Sequence, residues 1–257
     1  MKQLSVITSS YNSQETIRDT MLSVLKQNYR PLQYVLIDGA SQDHTNDIIR
    51  ELLPEFTAAG IETVHISEPD KGISDAFNKG ISRSTGEVIG IINAGDGYAD
   101  NALREVMAQN WESIDFFCGD ILWKDPANRI EYIRKSSLNW SRLRLEMTVM
   151  HPSCFVKKAL YDECGVFDVS FRYTMDYDLI CRFHRMNKRM AYFPLTVAYV
   201  AAGGVSDDSI NRIRSEIFRV NRENGVGALS SHLHWKVVKL RRFLASLLKK
   251  CKLFFKS

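Results

Sequence analysis

Four apolar runs in the first hundred residues each empty into residues able to do chemistry. Run 4–8 is followed by Ser9-Ser10-Tyr11-Asn12, and run 33–37 by Asp38-Gly39-Ala40-Ser41-Gln42-Asp43. Run 62–66 is followed by Ser67-Glu68-Pro69-Asp70-Lys71-Gly72, and run 87–92 by Asn93-Ala94-Gly95-Asp96-Gly97. Hydroxyls and amides offer hydrogen bonds to a polar ligand, carboxylates can hold a hard divalent cation, and glycine admits a ligand close to the backbone. A fifth cluster, Met175-Asp176-Tyr177-Asp178-Leu179, sets two carboxylates near the start of a helical pattern.

The elements that must position these groups alternate strand and helix. Asn12 and Glu15 have the spacing of a capping box ahead of a helix running to about residue 28. Further helical patterns cover 45–53, stopping before Pro54, and 75–82. Repeated β-α units of this size predict a parallel sheet with right-handed crossovers, and ligands of such sheets sit outside the carboxyl ends of the strands. In the second half, 115–123 and 129–134 read as a strand pair turning through Asp125-Pro126-Ala127-Asn128. Stretches 157–164, 178–186 and 207–224 read as helices, and 189–200 as a strand with Pro194 at an edge or bulge.

The chain has 257 residues, 45% hydrophobic and 25% charged, ordinary values for a globular protein with a core of useful size. They exclude a disordered chain, a collagen-like fibre and a disulfide scaffold. The five cysteines are odd in number and irregularly spaced without CxxC, as in a reduced cytosolic protein. No signal peptide and no membrane span is legible. The net charge of +4 conceals an asymmetry: residues 224–257 hold eight basic and no acidic residues, leaving 26 basic against 30 acidic in the body. An acidic body argues against a nucleic-acid partner, and the basic tail calls for an anionic partner of its own.

Five segments together resemble the family 2 inverting glycosyltransferases of the GT-A nucleotide-sugar fold: SVITSSYN (5–12), LIDGASQDHT (36–45), EPDKGISDAFNKG (68–80), STGEVIGIINAGDGY (84–98) and HPSCFVKKALYDECGVFD…MDYDL (151–179). The resemblance spans about 200 residues in the family's order. It implies an α/β fold with a mostly parallel central sheet flanked by helices, and transfer of a sugar from a nucleoside diphosphate sugar, a UDP-sugar by analogy, to an acceptor hydroxyl. Ser9, Tyr11 and Asn12 can then serve the nucleotide, with Asp38 on the base and Asp43 nearby; Asn12 and Asp43 read equally as helix caps. Where the family often has adjacent acids, this chain has Asp38-Gly39 and Gly95-Asp96. Asn93, Gly95 and Asp96 face the diphosphate, and Asp96 is the expected ligand of Mn²⁺ or Mg²⁺. Asp70 and Lys71 face the sugar or diphosphate, and Asp75 and Asn78 follow on the next helix, where capping and surface polarity explain them as well. Inversion needs one base for the acceptor hydroxyl. The resemblance puts it at Asp176, with Asp178 as rival and an N-cap as the plain alternative for either. His151 can contact the acceptor or stand as a structural histidine, and Gly203-Gly204-Val205-Ser206 can form a loop over the donor or a plain connection.

With Leu233 set at zero on a helix, Val237, Leu240, Leu244, Leu247, Leu248, Cys251, Phe254 and Phe255 fall within about 60° of it at about 100° per residue. All eight basic residues lie outside this stripe or at its rim. The tail reads as a basic amphipathic helix for an anionic membrane surface, or as a helix docked on protein. The sequence thus predicts a GT-A domain at 1–224 and an amphipathic tail at 225–257. The expected protein is cytoplasmic and peripheral on the inner face of the cell membrane. It extends a saccharide acceptor, on a polyprenyl diphosphate, in surface polysaccharide synthesis (O-antigen, capsule or exopolysaccharide). A polyprenyl-phosphate glycosyltransferase and a non-catalytic nucleotide-sugar-binding scaffold are the alternatives.

Overall fold

The LSVITSS segment is apolar on both alternating sides, which suits a strand covered on both faces. In the computed structural model it is β1 (Leu4–Ser10), with all seven residues buried. The structure describes residues 1–125, 127, 129–201 and 210–254, with backbone alone for 210, 211 and 242–254. Strands β2 (Leu32–Asp38), β3 (Glu62–Ser67) and β4 (Val88–Asn93) join β1 in the parallel order β3-β2-β1-β4. Helices α1 (Ile17–Leu25), α2 (Thr45–Ala58) and α3 (Ile73–Arg83) connect them. Beyond β4 the sheet continues through β8 (Cys154–Lys157), β6 (Phe116–Asp125), β9 (Met190–Ala201) and the short β5 (Gly97–Tyr98), and β7 (Ile130–Arg134) pairs with β6. Strand β8 is antiparallel to both its neighbours, whereas β9 is parallel to β6.

Helices α4 (Ala102–Met107), α5 (Trp140–Leu143), α6 (Lys158–Cys164), α7 (Met175–Arg185), α8 (Ile210–Glu223) and α9 (Ala228–Phe254) and a 3₁₀ turn (His151–Ser153) complete the described elements. Alternation along the strands splits the core into two layers. On one face Val6 and Leu36 pack with Ile17, Met21 and Val24 of α1 and Ile49, Leu52 and Phe56 of α2. On the other, Ile7, Val35 and Ile89 pack with Phe77 and Ile81 of α3, Leu160 of α6, and Leu179 and Phe183 of α7.

Several boundaries differ from the sequence reading, each for a local reason. Helix α1 starts at Ile17 with Thr16 as its N-cap residue, so Asn12 and Glu15 form no capping box. Asn12 instead takes a left-handed conformation, φ +47°, in the preceding loop. Helix α2 runs through Pro54 to Ala58, because Pro54 lies on the exposed face and the carbonyl it frees can turn to water. Helix α7 starts three residues earlier than its apolar period suggests, which takes both Asp176 and Asp178 into its first turn. Pro194 falls where β9 carries extra residues between its pairings Cys118↔Tyr192 and Asp120↔Thr196, a bulge that removes the need for its missing N–H. Strands β5 and β8 and helices α4 and α5 are not among the elements that the sequence predicts.

Candidate active site

Strand register gathers the polar strand ends at one edge. Ser10 lies beside Asp38, Ser9 beside Asn93, and Asp38 beside Ser67. The Ser9 hydroxyl donates to Asn93 Oδ1 at 2.9 Å. The β1–α1 and β2–α2 loops are then stitched together. The Asn12 amide donates to Ser41 Oγ (2.8 Å), and Asn12 Oδ1 accepts from the Gln42 amide (2.9 Å). Asp43 accepts from the amides of Gln14 (3.1 Å) and Thr45 (3.0 Å), so it ties the first loop to the start of α2.

Asp38 organises this edge from beneath. It is fully buried, and its two oxygens accept from the Ser10, Ser41 and Ser67 hydroxyls, the Ser41 amide and the Asn46 side chain. Burial works against its ionisation, but the bonds from Ser41, Asn46 and Ser67 prevail and hold its carboxyl below the usual carboxylate range. Five donors fill the acceptor capacity of one carboxylate. Asp38 thus ties together the ends of three strands and the start of α2.

A different carboxylate reaches the crevice. A Cβ placed at Gly39 would lie 2.7 Å from Asp70 Oδ2 and 3.3 Å from the Tyr11 ring, so Asp70 and Tyr11 take the space that a side chain at 39 would need. Asp70 Oδ1 accepts the Gly72 amide at 2.8 Å, and Tyr11 is 63% exposed. Lys71 is exposed beside them, and its amide donates to Asp75 Oδ2 at 3.0 Å. Asp75 also lies 3.7 Å from Lys79, so it serves the loop rather than the crevice. Asn78 turns away as well: it exchanges two bonds with the backbone of Phe167, at 2.9 and 3.0 Å.

The β4 end makes a tight turn held by Thr20 of α1, whose hydroxyl accepts the Gly95 amide (3.0 Å) and donates to the Asp96 carbonyl (2.6 Å). Gly95 has φ +101°, a conformation that an L-residue adopts only under strain. This backbone therefore does not favour a second acid at position 95. Burial pushes the Asp96 carboxyl up to about 7, against the Ala201 backbone amide.

The two rival carboxylates of α7 part company. Asp178 is buried and bound to Arg182 Nε at 2.9 Å, while the same guanidinium donates to the carbonyls of Cys164 and Val166. Asp176 is partly buried, and Oδ1 accepts the Tyr177 amide at 2.8 Å. Burial raises its carboxyl above the usual range, opposed by the neighbouring His151. His151 stacks on Phe77 (ring centroids 5.6 Å apart), and burial lowers its pKa while Asp176 opposes that shift. An imidazole beside a carboxylate that is not spent on an ion pair is a competent setting for proton abstraction. Gly204 and its loop lie outside the described residues.

A family model described as "Glycosyl transferase family 2" matches residues 5–165. The chain belongs to glycosyltransferase family 2. A "PGL/p-HBAD biosynthesis glycosyltransferase" of Mycobacterium bovis is 25% identical over 219 residues, covering 81% of this chain and 80% of that protein. An uncharacterized glycosyltransferase of Rickettsia typhi is 23% identical over 195 residues, covering 72% and 59%. Among solved structures, S. aureus TarS 1–349 in complex with UDP-GlcNAc superposes with a TM-score of 0.65 at 18% identity, over 86% of this chain and 66% of that one. The mannosyltransferase PcManGT of Pyrobaculum calidifontis, in complex with GDP-Man and Mn²⁺, gives 0.63 at 17% identity, over 85% and 63%. The fold is thus the GT-A fold that the motifs imply.

In this glycosyltransferase, Asp96 is a lone carboxylate at its turn. The described residues contain no group of three or more His, Cys, Asp or Glu able to hold a metal ion. Such a donor set fits a cation shared with substrate phosphates rather than one caged by protein. Sequence reasoning missed the groups that hold the site in place: Thr20 on α1, Asn46 on α2 and Arg182 on α7. Helical residues of this kind carry no motif; their partners are visible only once the helices are docked.

Proposed function

We propose that this family 2 glycosyltransferase is an inverting enzyme that transfers a hexose from a UDP-sugar to a saccharide hydroxyl. The observation that carries the reading is the division of labour on the first turn of α7, where Arg182 claims Asp178 and leaves Asp176 for chemistry. Asp176 accepts the proton of the acceptor hydroxyl as that oxygen attacks the anomeric carbon. The carbon–oxygen bond to the diphosphate breaks on the opposite face, and UDP departs with the bonding pair. Tyr11, Asp70 and Asn12 line the nucleotide end, with Asp70 rather than Asp38 offering an acceptor to a base N–H. Ser9 and Asn93 hold the diphosphate turn, Lys71 faces the donor's negative charge, and His151 flanks the acceptor. Asp96 would hold Mn²⁺ or Mg²⁺ together with the diphosphate, and the cation would neutralise charge on the leaving group. The nucleotide sugars in the TarS and PcManGT structures, and the Mn²⁺ in the latter, support this donor class. Inversion is tested by the configuration of the new linkage. An α-linked UDP-sugar should give a β-linked product by the anomeric proton coupling, and an α-linked product would refute single displacement.

The acceptor in this proposal is a polyprenyl-diphosphate-linked saccharide, met at the inner face of the cell membrane. No helix among the described residues is long and apolar enough to span a membrane. Helix α9 docks by Ser231 and Trp235, the latter edge-on to Phe218 of α8, and leaves Leu229, Leu233, Val237 and Leu240 44–75% exposed. An exposed apolar stripe among Lys236, Lys239 and Arg241 suits an anionic lipid surface. The full chain should co-sediment with vesicles containing phosphatidylglycerol but not with pure phosphatidylcholine vesicles, and Leu233→Asp with Leu240→Asp should abolish it. Equal binding by that double variant would refute the membrane role of this stripe.

A further inference from the structure

Helix α7 is not capped by its own residues. Its N-cap residue, Thr174, makes no side-chain cap. Instead one carboxylate from another helix, Glu216 of α8, accepts the amides of Arg172, Tyr173 and Thr174 at 2.9 Å each and the Thr174 hydroxyl at 3.2 Å. A carboxylate just before a helix N-terminus also meets the positive end of the helix dipole. The same lead-in is gripped from α8 by Arg219, which bonds Asp168 (2.9 Å) and Ser170 (2.7 Å) and lies 4.0 Å over the Phe171 ring. Helix α3 also holds it, through Asn78 on Phe167 and Ser74 on the Phe171 carbonyl. Only Met175 separates Thr174 from Asp176.

From this clamp we infer that Glu216 is a positioning residue for the catalytic base, fixing the backbone from which the Asp176 carboxylate is aimed. The inference rests on Asp176 being the base. A ligand held about 1 Å out of place costs on the order of a hundred-fold in rate, so a clamp one residue away controls chemistry without touching substrate. Among the described residues, the charged and titratable groups around Asp176 are His151 before β8, Glu216 of α8, the Cys154 thiol of β8 and the Cys181 thiol of α7. Glu216 adds to the rise of the Asp176 carboxyl and His151 opposes it. Removing the charge at 216 therefore moves the acid limb of the pH–rate profile to lower pH.

The test compares Glu216→Ala, Glu216→Gln, Arg219→Ala and Asp176→Asn in the full chain. UDP release from a panel of UDP-hexoses gives kcat, donor KM and the pH profile. Glu216→Ala should lose roughly ten- to hundred-fold in kcat, keep its donor KM, and show an acid limb at lower pH. Glu216→Gln, nearly isosteric, should share the limb shift and so keeps the test alive if the alanine variant fails to fold. Arg219→Ala releases the same segment farther from the base, so it should lower thermal stability and leave the limb in place. Folded Glu216 variants with wild-type kcat and an unmoved limb would overturn the inference while Asp176→Asn is inactive. An active Asp176→Asn would instead overturn the base assignment, and the inference with it.

Discussion

Asp176→Asn should lower the rate of sugar transfer by about a thousand-fold, within the roughly 10²–10⁴ that a positioned general base supplies, and leave UDP binding intact. Asparagine keeps the shape and the bond from the Tyr177 amide but cannot take a proton. The free enzyme needs this carboxyl ionised, so kcat/KM should fall as pH drops through its pKa. Because burial raises that pKa, the acid limb should lie above the ordinary aspartate value of about 3.9. The contrasting variant is Asp178→Ala, which strands the Arg182 guanidinium and should cost stability on the order of 3 kcal/mol rather than catalysis per folded molecule. Loss of turnover in both variants, with stability unchanged, would mean that the two carboxylates had been assigned the wrong roles. Steady-state kinetics and thermal denaturation of the two proteins, measured side by side, decide it.

Asp96→Ala should remove the cation dependence of nucleotide binding. With one carboxylate at the β4 turn, Mn²⁺ should bind weakly to the protein alone and well in the presence of UDP. In the variant, UDP affinity with Mn²⁺ should fall about a hundred-fold, on the order of 2.7 kcal/mol, while affinity in EDTA stays as in the wild type. Isothermal titration with and without EDTA reads both. The metal-free wild type carries a second signature. A carboxyl whose folded pKa stands at about 7 binds a proton that the unfolded chain has released, so stability falls as pH rises from about 4 to about 7. Asp96→Ala should lack this component, and an unchanged pH dependence of its thermal midpoint would contradict the burial argument.

The parallel half of the fold was legible because four β-branched runs, each followed by polar residues and glycine, leave little choice of topology. The site was legible to the depth of single strands and no further. Ser9, Asp38 and Asn93 stood out because each lies at or next to the end of a strand, and register then sets Ser9 beside Asn93 and Ser10 beside Asp38. Sequence could not reveal that Asp38 would be saturated by donors from three loops, or that Asp70 would fill the space beside Gly39. Both depend on how far the third loop folds back. The difference in surroundings between Asp176 and Asp178 likewise depends on where α7 starts and on Arg182 one turn after Asp178, an i,i+4 pair visible in sequence but without meaning until the buried side was known. Glu216 left no trace at all, since its partners are backbone amides 42 to 44 residues away.

If the gathered strand ends form a nucleotide-sugar site, a nucleotide should stabilise the fold. A thermal-shift titration of the wild-type chain with UDP, GDP, dTDP and CDP, each with and without Mn²⁺, tests it most directly, because a ligand that binds only the folded state raises its stability by mass action. The expected result is a rise with UDP that is larger in Mn²⁺ and absent or much smaller with the other three. A folded protein that shifts with none of the four nucleotides would contradict it.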